Sequence, residues 1–285
     1  MREDISEKLA RKRFEQEQDV SKPGARVRKT TGQPKAMAIT PDIRVGTAGW
    51  SIPRASAPRF GESGTHLERY ARSLRCAEIN SSFYRPHAAA TYAKWRDITP
   101  PDFRFAVKMP RTITHELQLQ DAREPLVAFL AQTDGLAQKR GPLLVQLPPS
   151  FSFDAAIVIP FLDLVRGKYD GPVVCEPRHP TWFSPQVDSL LEGYRISRVA
   201  ADPPPVPAAA VPAGWPRVAY FRLHGSPRKY WSQYDKRYIA TLADTVRSIT
   251  RAEEAWCVFD NTASGAAIEN AWQLHERAIV NSALG

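Results

Sequence analysis

Three observations predict an α/β fold, a single-domain (β/α)8 TIM barrel. Eight short apolar runs follow one another between residues 43 and 259, bounded by Gly, Pro or polar residues as buried strands are. Mostly helical connections alternate with them over about 240 residues, the length and order of a closed parallel barrel. The runs end in charged or polar residues, as strands do when their carboxyl ends build a site.

Each element has its own signal. Residues 43–45 form the first strand and run into Gly46-Thr47-Ala48-Gly49-Trp50. Thr65-His66-Leu67-Glu68 has capping-box form, and Leu67, Tyr70, Ala71 and Leu74 follow at helical spacing. The second strand, Cys76–Ile79, ends in Asn80-Ser81-Ser82-Phe83-Tyr84. A short helix over 91–97 precedes the third strand, 104–107, which ends in Lys108-Met109-Pro110-Arg111. Pro125 opens a helix through Leu136, and 143–147 is the fourth strand, closed by Pro148-Pro149. A helix over 157–165 leads to the fifth strand, 173–175, which turns into Glu176-Pro177-Arg178-His179. After a helix over 186–194, the weaker sixth strand, 196–201, ends in Asp202. The Pro/Ala-rich stretch that follows is expected to lie outside the sheet, because Pro cannot donate to a ladder. The seventh strand, 218–223, ends in His224-Gly225, and the eighth, 255–259, in Asp260-Asn261-Thr262. Helices over 235–249 and 266–279 follow these two strands.

Composition is that of a soluble globular chain, 43% hydrophobic and 24% charged. No run approaches the roughly 18 apolar residues of a membrane span, and no apolar signal segment opens the chain, so no membrane association and a cytoplasmic location are expected. Cys76, Cys175 and Cys257 lack metal-type spacing and read as buried free thiols. Residues 1–40 stand apart as a basic extension, disordered or partly helical, with 41–285 forming the barrel domain. Residues 1–36 hold ten Lys/Arg and six Asp/Glu, which is +4 of the net +9. That basicity suits nucleic acid or an anionic substrate, and it also serves solubility.

Side chains alternate across a strand, so i and i+2 share a face. Glu78/Asn80, Glu176/Arg178, Arg222/His224 and Asp260/Thr262 are such pairs. Charges do not pack cheaply against apolar helices, which places these pairs inside the barrel at its C-terminal mouth. Lys108, Gln146 and Asp202 are expected to join them. A ring of ionisable groups points to a polar ligand; the plain alternative is an ion-pair network that fills the barrel. Glu176, His179, His224 and Glu78 are the catalytic candidates, imidazole and carboxylate being the usual proton carriers near neutrality. Asn80, Tyr84, Lys108, Arg111, His115, Gln146, Arg178, Trp182, Asp202, Arg222, Tyr230, Asn261 and Thr262 are the substrate-binding candidates. The loops after the last two strands, with small residues and free N–H groups, suit an anion. Trp50, Phe83, Tyr84, Trp182, Tyr230 and Trp231 would either stack on a ligand or roof the barrel.

No metal-binding motif such as HExxH is present, and nearby Arg and Lys oppose a cation. No cofactor is expected; a divalent metal is the alternative, since Glu, His and Asp at successive strand ends can bind one. A glycine-rich dinucleotide loop is also lacking.

Several motifs in order resemble the YecE-like family, known as domain of unknown function 72. They are Val45-Gly46-Thr47-Ala48-Gly49-Trp50, Glu78-Ile79-Asn80-Ser81-Ser82-Phe83-Tyr84, Lys108-Met109-Pro110-Arg111 with Thr114-His115, and Gly141 through Pro149. Glu176-Pro177-Arg178-His179, Arg222-Leu223-His224-Gly225 and Asp260-Asn261-Thr262 complete the set. The resemblance covers residues 43–271 and implies a TIM-barrel fold. It implies no established reaction: the family's barrel is similar to metal-dependent endonuclease and sugar-isomerase barrels, and a nuclease-like role rests on that similarity alone. Ala48 stands where Ser is common in the family, and Asp260 where another residue often precedes the Asn.

Three functions are compatible with these features. The first is an enzyme, a hydrolase, lyase or isomerase, using acid/base chemistry on a small polar or phosphorylated, sugar-like substrate. The second is a metal-dependent phosphodiesterase acting on nucleic acid. The third is a non-catalytic ligand-binding module. No feature of the sequence points to an oligomeric state.

Overall fold

The computed structural model describes residues 40–280; the extension expected over 1–40 lies outside them but for Thr40. Ten strands form one sheet: β1 (Asp42–Ala48), β2 (Cys76–Ile79), β3 (Arg104–Lys108), β4 (Arg140–Gln146), β5 (Val173–Glu176), β6 (Ile196–Arg198), β7 (Ala200–Asp202), β8 (Ala213–Gly214), β9 (Val218–Leu223) and β10 (Glu254–Phe259). The order is β7-β9-β10-β1-β2-β3-β4-β5-β6-β8, parallel throughout except for β6 against β8. β6 and β7 are two halves of the expected sixth strand, joined by Val199, whose N–H donates to Cys175 O at 2.8 Å. One half pairs with β5 and the other with β9, so the ring nearly closes as an eight-stranded parallel barrel.

Among the described residues seven α-helices wrap it: His66–Ala71, Ala89–Asp97, Arg123–Thr133, Ala155–Arg166, Pro185–Gly193, Lys236–Arg247 and Ala266–His275. The first opens on the expected capping box, with Glu68 N donating to Thr65 Oγ1 and Thr65 N donating to Glu68 Oε2. Asp154, Ser184 and Asp235 cap three others in the same chemical way. The helix opened near Pro125 stops at Thr133 and continues as a tighter turn to Lys139, and the last helix relaxes into a wider turn over Glu276–Val280.

The sixth connection has no α-helix. Its Pro-rich chain makes a short turn at Pro207–Ala210 and returns as β8, which corrects the expectation that the whole stretch avoids the sheet. Ala213 and Gly214 keep their N–H groups between Pro212 and Pro216, and Gly214 takes a positive φ of 66°. The missing helix leaves a groove of about 230 Å³ beside β7 and β9, lined by Ala200, Phe221, Tyr238 and Leu242.

Alternation sorts the strand residues into two layers. Val45, Ala77, Phe105, Val145, Cys175, Phe221 and Phe259 face the helices. Cys76, Ala106, Leu144, Val174, Val199, Val218, Tyr220, Trp256 and Val258 fill the barrel itself. At the N-terminal end Arg44 lies over Trp256 and pairs with Asp42 and Glu254. The apolar filling therefore occupies the lower and middle barrel, and the charged strand ends lie above it. No helix among the described residues is long and apolar enough to cross a membrane.

Gly46 marks the tightest point of the wall. A Cβ there would stand 2.0 Å from the carbonyl oxygen of Cys76, its register partner on β2. Gly46→Ala is expected to destabilise the barrel by about 1–3 kcal/mol or prevent its closure, read as a lower urea midpoint; an unchanged midpoint contradicts this packing.

Candidate functional site

Arg222 is the hub of the upper barrel. It follows Tyr220 by two residues on β9, so both point inward. Its Nε and Nη2 reach Glu78 Oε2 and Oε1 at 3.0 and 2.6 Å, its Nη1 reaches Glu176 Oε2 at 2.7 Å, and its Nη2 also reaches Asp260 Oδ2 at 3.1 Å. Three carboxylates from β2, β5 and the end of β10 thus share one guanidinium, and none of the four groups is appreciably exposed. The planar fork of Arg suits this role, because several donors meet several acceptors in one plane. Tyr220 adds a fourth donor by giving its O–H to Glu78 Oε2 at 2.9 Å. Burial and the Glu78 carboxylate together push that phenol well above its usual range.

His224, two residues beyond Arg222, lies between the other carboxylates. Nε2 is 2.9 Å from Glu176 Oε1, and Nδ1 is 3.1 Å from Asp260 Oδ2. Arg178 closes the top: its Nη2 lies 2.7 Å from Glu176 Oε1 and 3.1 Å from His224 Nε2. Burial alone would raise the Glu176 carboxyl, but the cations Arg222 and Arg178, with His224, hold it well below the carboxylate range. Asp260 is lowered in the same way, against its burial, by Arg222 and the hydrogen bond from His224. The Arg222 guanidinium is raised well above its ordinary value, because its three carboxylates outweigh desolvation.

Above this floor the groups are less engaged. Lys108, at the end of β3, is 6% exposed, and its amine makes no hydrogen bond or ion pair among the described residues. Its Nζ rests 4.0 Å from the centre of the Phe83 ring. Burial and the nearby Arg222 push its amine down to about 8, although Glu78, Glu176 and Asp260 pull the other way. His115 packs edge-on against the same Phe83 ring at 4.9 Å and bonds Thr114 Oγ1 through Nδ1 at 2.8 Å. Burial, then Lys108, Arg111 and Arg178, lower its pKa. Arg178 is 10% exposed with a buried Nε that has no partner, and Asn80 Oδ1 is likewise buried and unpartnered. Lys229, on the loop after β9, is lowered by burial and by Arg178, so it belongs to the same rim. Tyr230 stands edge-on to His224 at 5.5 Å and is 44% exposed.

The mouth therefore gathers Glu78, Asn80, Lys108, His115, Arg178, Glu176, Arg222, His224, Asp260 and Tyr230. Gln146, beside Glu176 in the register, is half-buried and bonds to none of them. The remaining candidates make other contacts. Asp202 points outward, because the even residues of the sixth strand, Ile196 and Ala200 among them, face the helices while Val199 faces in. It accepts from Tyr234 O–H at 2.7 Å and does not join the charged cluster. Trp182 is 1% exposed, donates to Phe151 O at 3.0 Å and fills the layer outside the barrel, leaving no ring face for a ligand. His179 caps the turn Pro180–Trp182, its Nδ1 accepting from Thr181 N. Asn261 is fully buried and ties the loop after β9 to the last helix through Ser232 O and Asn270. Thr262 turns away on an exposed loop, since β10 ends at Phe259 and the alternation ends with it. Arg111 is exposed and paired with Glu116, and Tyr84 is 70% exposed against Phe83. Two residues of the site escaped the sequence. Tyr220 carried the parity signal of Arg222; Lys229 carried none. Among the described residues no group of three or more His, Cys, Asp or Glu is arranged to hold a metal, the Arg222 guanidinium filling the space between the carboxylates.

A parallel α/β barrel with an ionised, hydrogen-bonded mouth is the class this geometry defines. The chain belongs to the family described as "Protein of unknown function DUF72", whose model matches residues 44–283. It is 33% identical over 165 residues to the UPF0759 protein YecE of Escherichia coli K12, a match spanning 55% of this chain and 60% of that protein. The UPF0759 protein YunF of Bacillus subtilis 168 is 25% identical over 82% of this chain and 94% of its own length. A crystal structure of a DUF72 family protein from Enterococcus faecalis V583 superposes with a TM-score of 0.71 at 25% identity, covering 83% of this chain and 95% of the other. One from Thermotoga maritima MSB8 gives 0.69 at 27% identity, covering 82% and 98%.

Arg222→Met leaves three buried carboxylates without their shared cation and is expected to cost about 3–5 kcal/mol in chemical denaturation; Arg222→Lys, with one point charge for four contacts, recovers little of it. Acid provides an independent check. Glu176 and Asp260 have depressed folded values, so their contribution is complete above the ordinary carboxylate range and is lost as pH falls through those values. Stability measured below about pH 4 is expected to fall less steeply in Glu176→Gln than in the parent; parallel slopes would contradict the ionised floor.

Proposed function

We propose that the protein is an enzyme using acid/base chemistry on a small phosphorylated, sugar-like substrate at the barrel mouth. The observation that carries this reading is Lys108, a side chain only 6% exposed at the barrel mouth whose amine has no hydrogen bond or ion pair among the described residues. A largely desolvated amine left without a protein partner favours a site that a polar ligand completes. Arg178, with its free Nε, and Lys229 flank the same opening and suit a phosphate. The buried Asn80 Oδ1 is an acceptor for a ligand hydroxyl, as a sugar would offer.

The proton carriers in this reading are the groups that a substrate can reach. His115 has Nε2 without a partner among the described residues, and Lys108 has an amine that changes charge near pH 8. Glu176, His224, Glu78 and Asp260 are already bonded to one another or to Arg222, so their role is to anchor the floor and set its field. A divalent cation does not suit the space among the carboxylates, which a guanidinium fills.

The test is a panel of sugar phosphates, with inorganic phosphate as reference, followed by melting temperature and by turnover in the presence of chelator. A sugar phosphate is expected to raise the melting temperature and to be converted. His115→Ala is expected to lower kcat by about 10²–10⁴-fold while leaving the melting temperature of the free protein near that of the parent. No stabilisation by any anion, or cleavage of nucleic acid that requires added metal, overturns the reading.

A further inference from the structure

We infer that Lys108 is a covalent nucleophile, whose amine condenses with the carbonyl carbon of an aldose or ketose phosphate to form an imine. The inference rests on the proposed reading of the mouth as a sugar-phosphate site and names the form of the substrate that reacts there: the open-chain carbonyl.

The geometry carries it. Lys108 ends β3 on the inward parity shared with Ala106, so its side chain enters the upper barrel, where its amine meets Phe83. Three carboxylates lie beneath it, yet it makes neither a hydrogen bond nor an ion pair with any of them, because Arg222 already engages all three. A lysine placed to neutralise the floor would be bonded to it. This one is held against the Phe83 ring instead, apart from the carboxylates, with its nitrogen lone pair available once the proton leaves. Desolvation acts in the same direction, favouring the neutral amine that attack requires. The cations at the rim, Arg178 and Lys229, are separate groups suited to the phosphate, so binding the anion does not consume the nucleophile.

The step balances without an external reagent. The Nζ lone pair of neutral Lys108 forms a bond to the carbonyl carbon, and the C=O π pair moves to oxygen, which takes a proton. The resulting carbinolamine loses its hydroxyl as water after a second protonation, and nitrogen supplies the pair for C=N. Two protons leave nitrogen and two reach the departing oxygen. His115, packed on the same Phe83 ring and open at Nε2, is the side chain suited to carry them. An imine adjacent to a C–H or C–C bond withdraws the electrons released when that bond breaks, which fits an isomerase or a lyase.

The full chain is incubated with dihydroxyacetone phosphate and cyanoborohydride, which reduces an imine to a stable secondary amine, and the modified lysines are mapped by peptide mass. The expected result is an adduct at Lys108 formed at least about tenfold faster than at any other lysine, slowed by excess inorganic phosphate and absent in Lys108→Gln. Labelling spread evenly over the lysines, or a Lys108 left unmodified, overturns the inference. Inorganic phosphate alone is measured beside it by melting temperature. Stabilisation by phosphate without a Lys108 adduct removes the nucleophile and leaves the proposed function standing; neither stabilisation nor adduct removes both.

Discussion

The ion pairing of Arg222 with Glu78, Glu176 and Asp260 is the interaction on which the upper half of the barrel depends. Each carboxylate comes from a different strand end, so the one guanidinium ties β2, β5 and β10 to β9 across the barrel interior. In a dry interior none of these charges is tolerable alone, and the arrangement is stable because every member is bonded. Tyr220, one step below on β9, and His224, just beyond its end, add hydrogen bonds to Glu78 Oε2, Glu176 Oε1 and Asp260 Oδ2.

That closure divides the work of the mouth. The floor is bonded internally, which makes it rigid and leaves little for a ligand to pair with. The rim is the reverse: Lys108 and His115 rest on the Phe83 ring, Arg178 is held through Glu176, and each has bonding capacity to spare. A rigid charged base below underused donors is the layout expected where a ligand rather than the protein supplies the last partners. The same contrast explains why the strongly depressed carboxyls are poor proton carriers here, whereas an amine pushed down to about 8 is a good one.

The irregular sixth connection shows how local chemistry modifies the barrel. Prolines from Pro203 to Pro216 exclude a helix, and the chain covers the edge of β6 with a two-residue antiparallel pair instead. The outward turn of Asp202 onto Tyr234 follows from the same segment, where the side chain meets the space that a helix would have filled.

Much of this was legible in the residues themselves. Apolar runs of three to six residues bounded by Gly, Pro or polar residues located the strands, and Thr65 with Glu68 located a helix start, because both signals are local. Period-two alternation placed Glu78, Glu176, Arg222, His224 and Asp260 on one interior surface, and it failed at Thr262, where the strand had already ended. Asp202 was expected inside from its place at a strand end, but that polar character does not say which face its parity selects, and the apolar neighbours on β7 are too small to reveal it. Trp182 and His179 share a motif with Glu176 and Arg178, yet three residues of turn send one into the outer core and make the other a cap. Sequence alone thus determined which residues are charged and which strand faces they occupy, since both follow from chemistry and a fixed repeat. Only the tertiary structure decided that Arg222 engages all three carboxylates and leaves Lys108 unpaired, because that choice depends on distances between strands far apart in the chain.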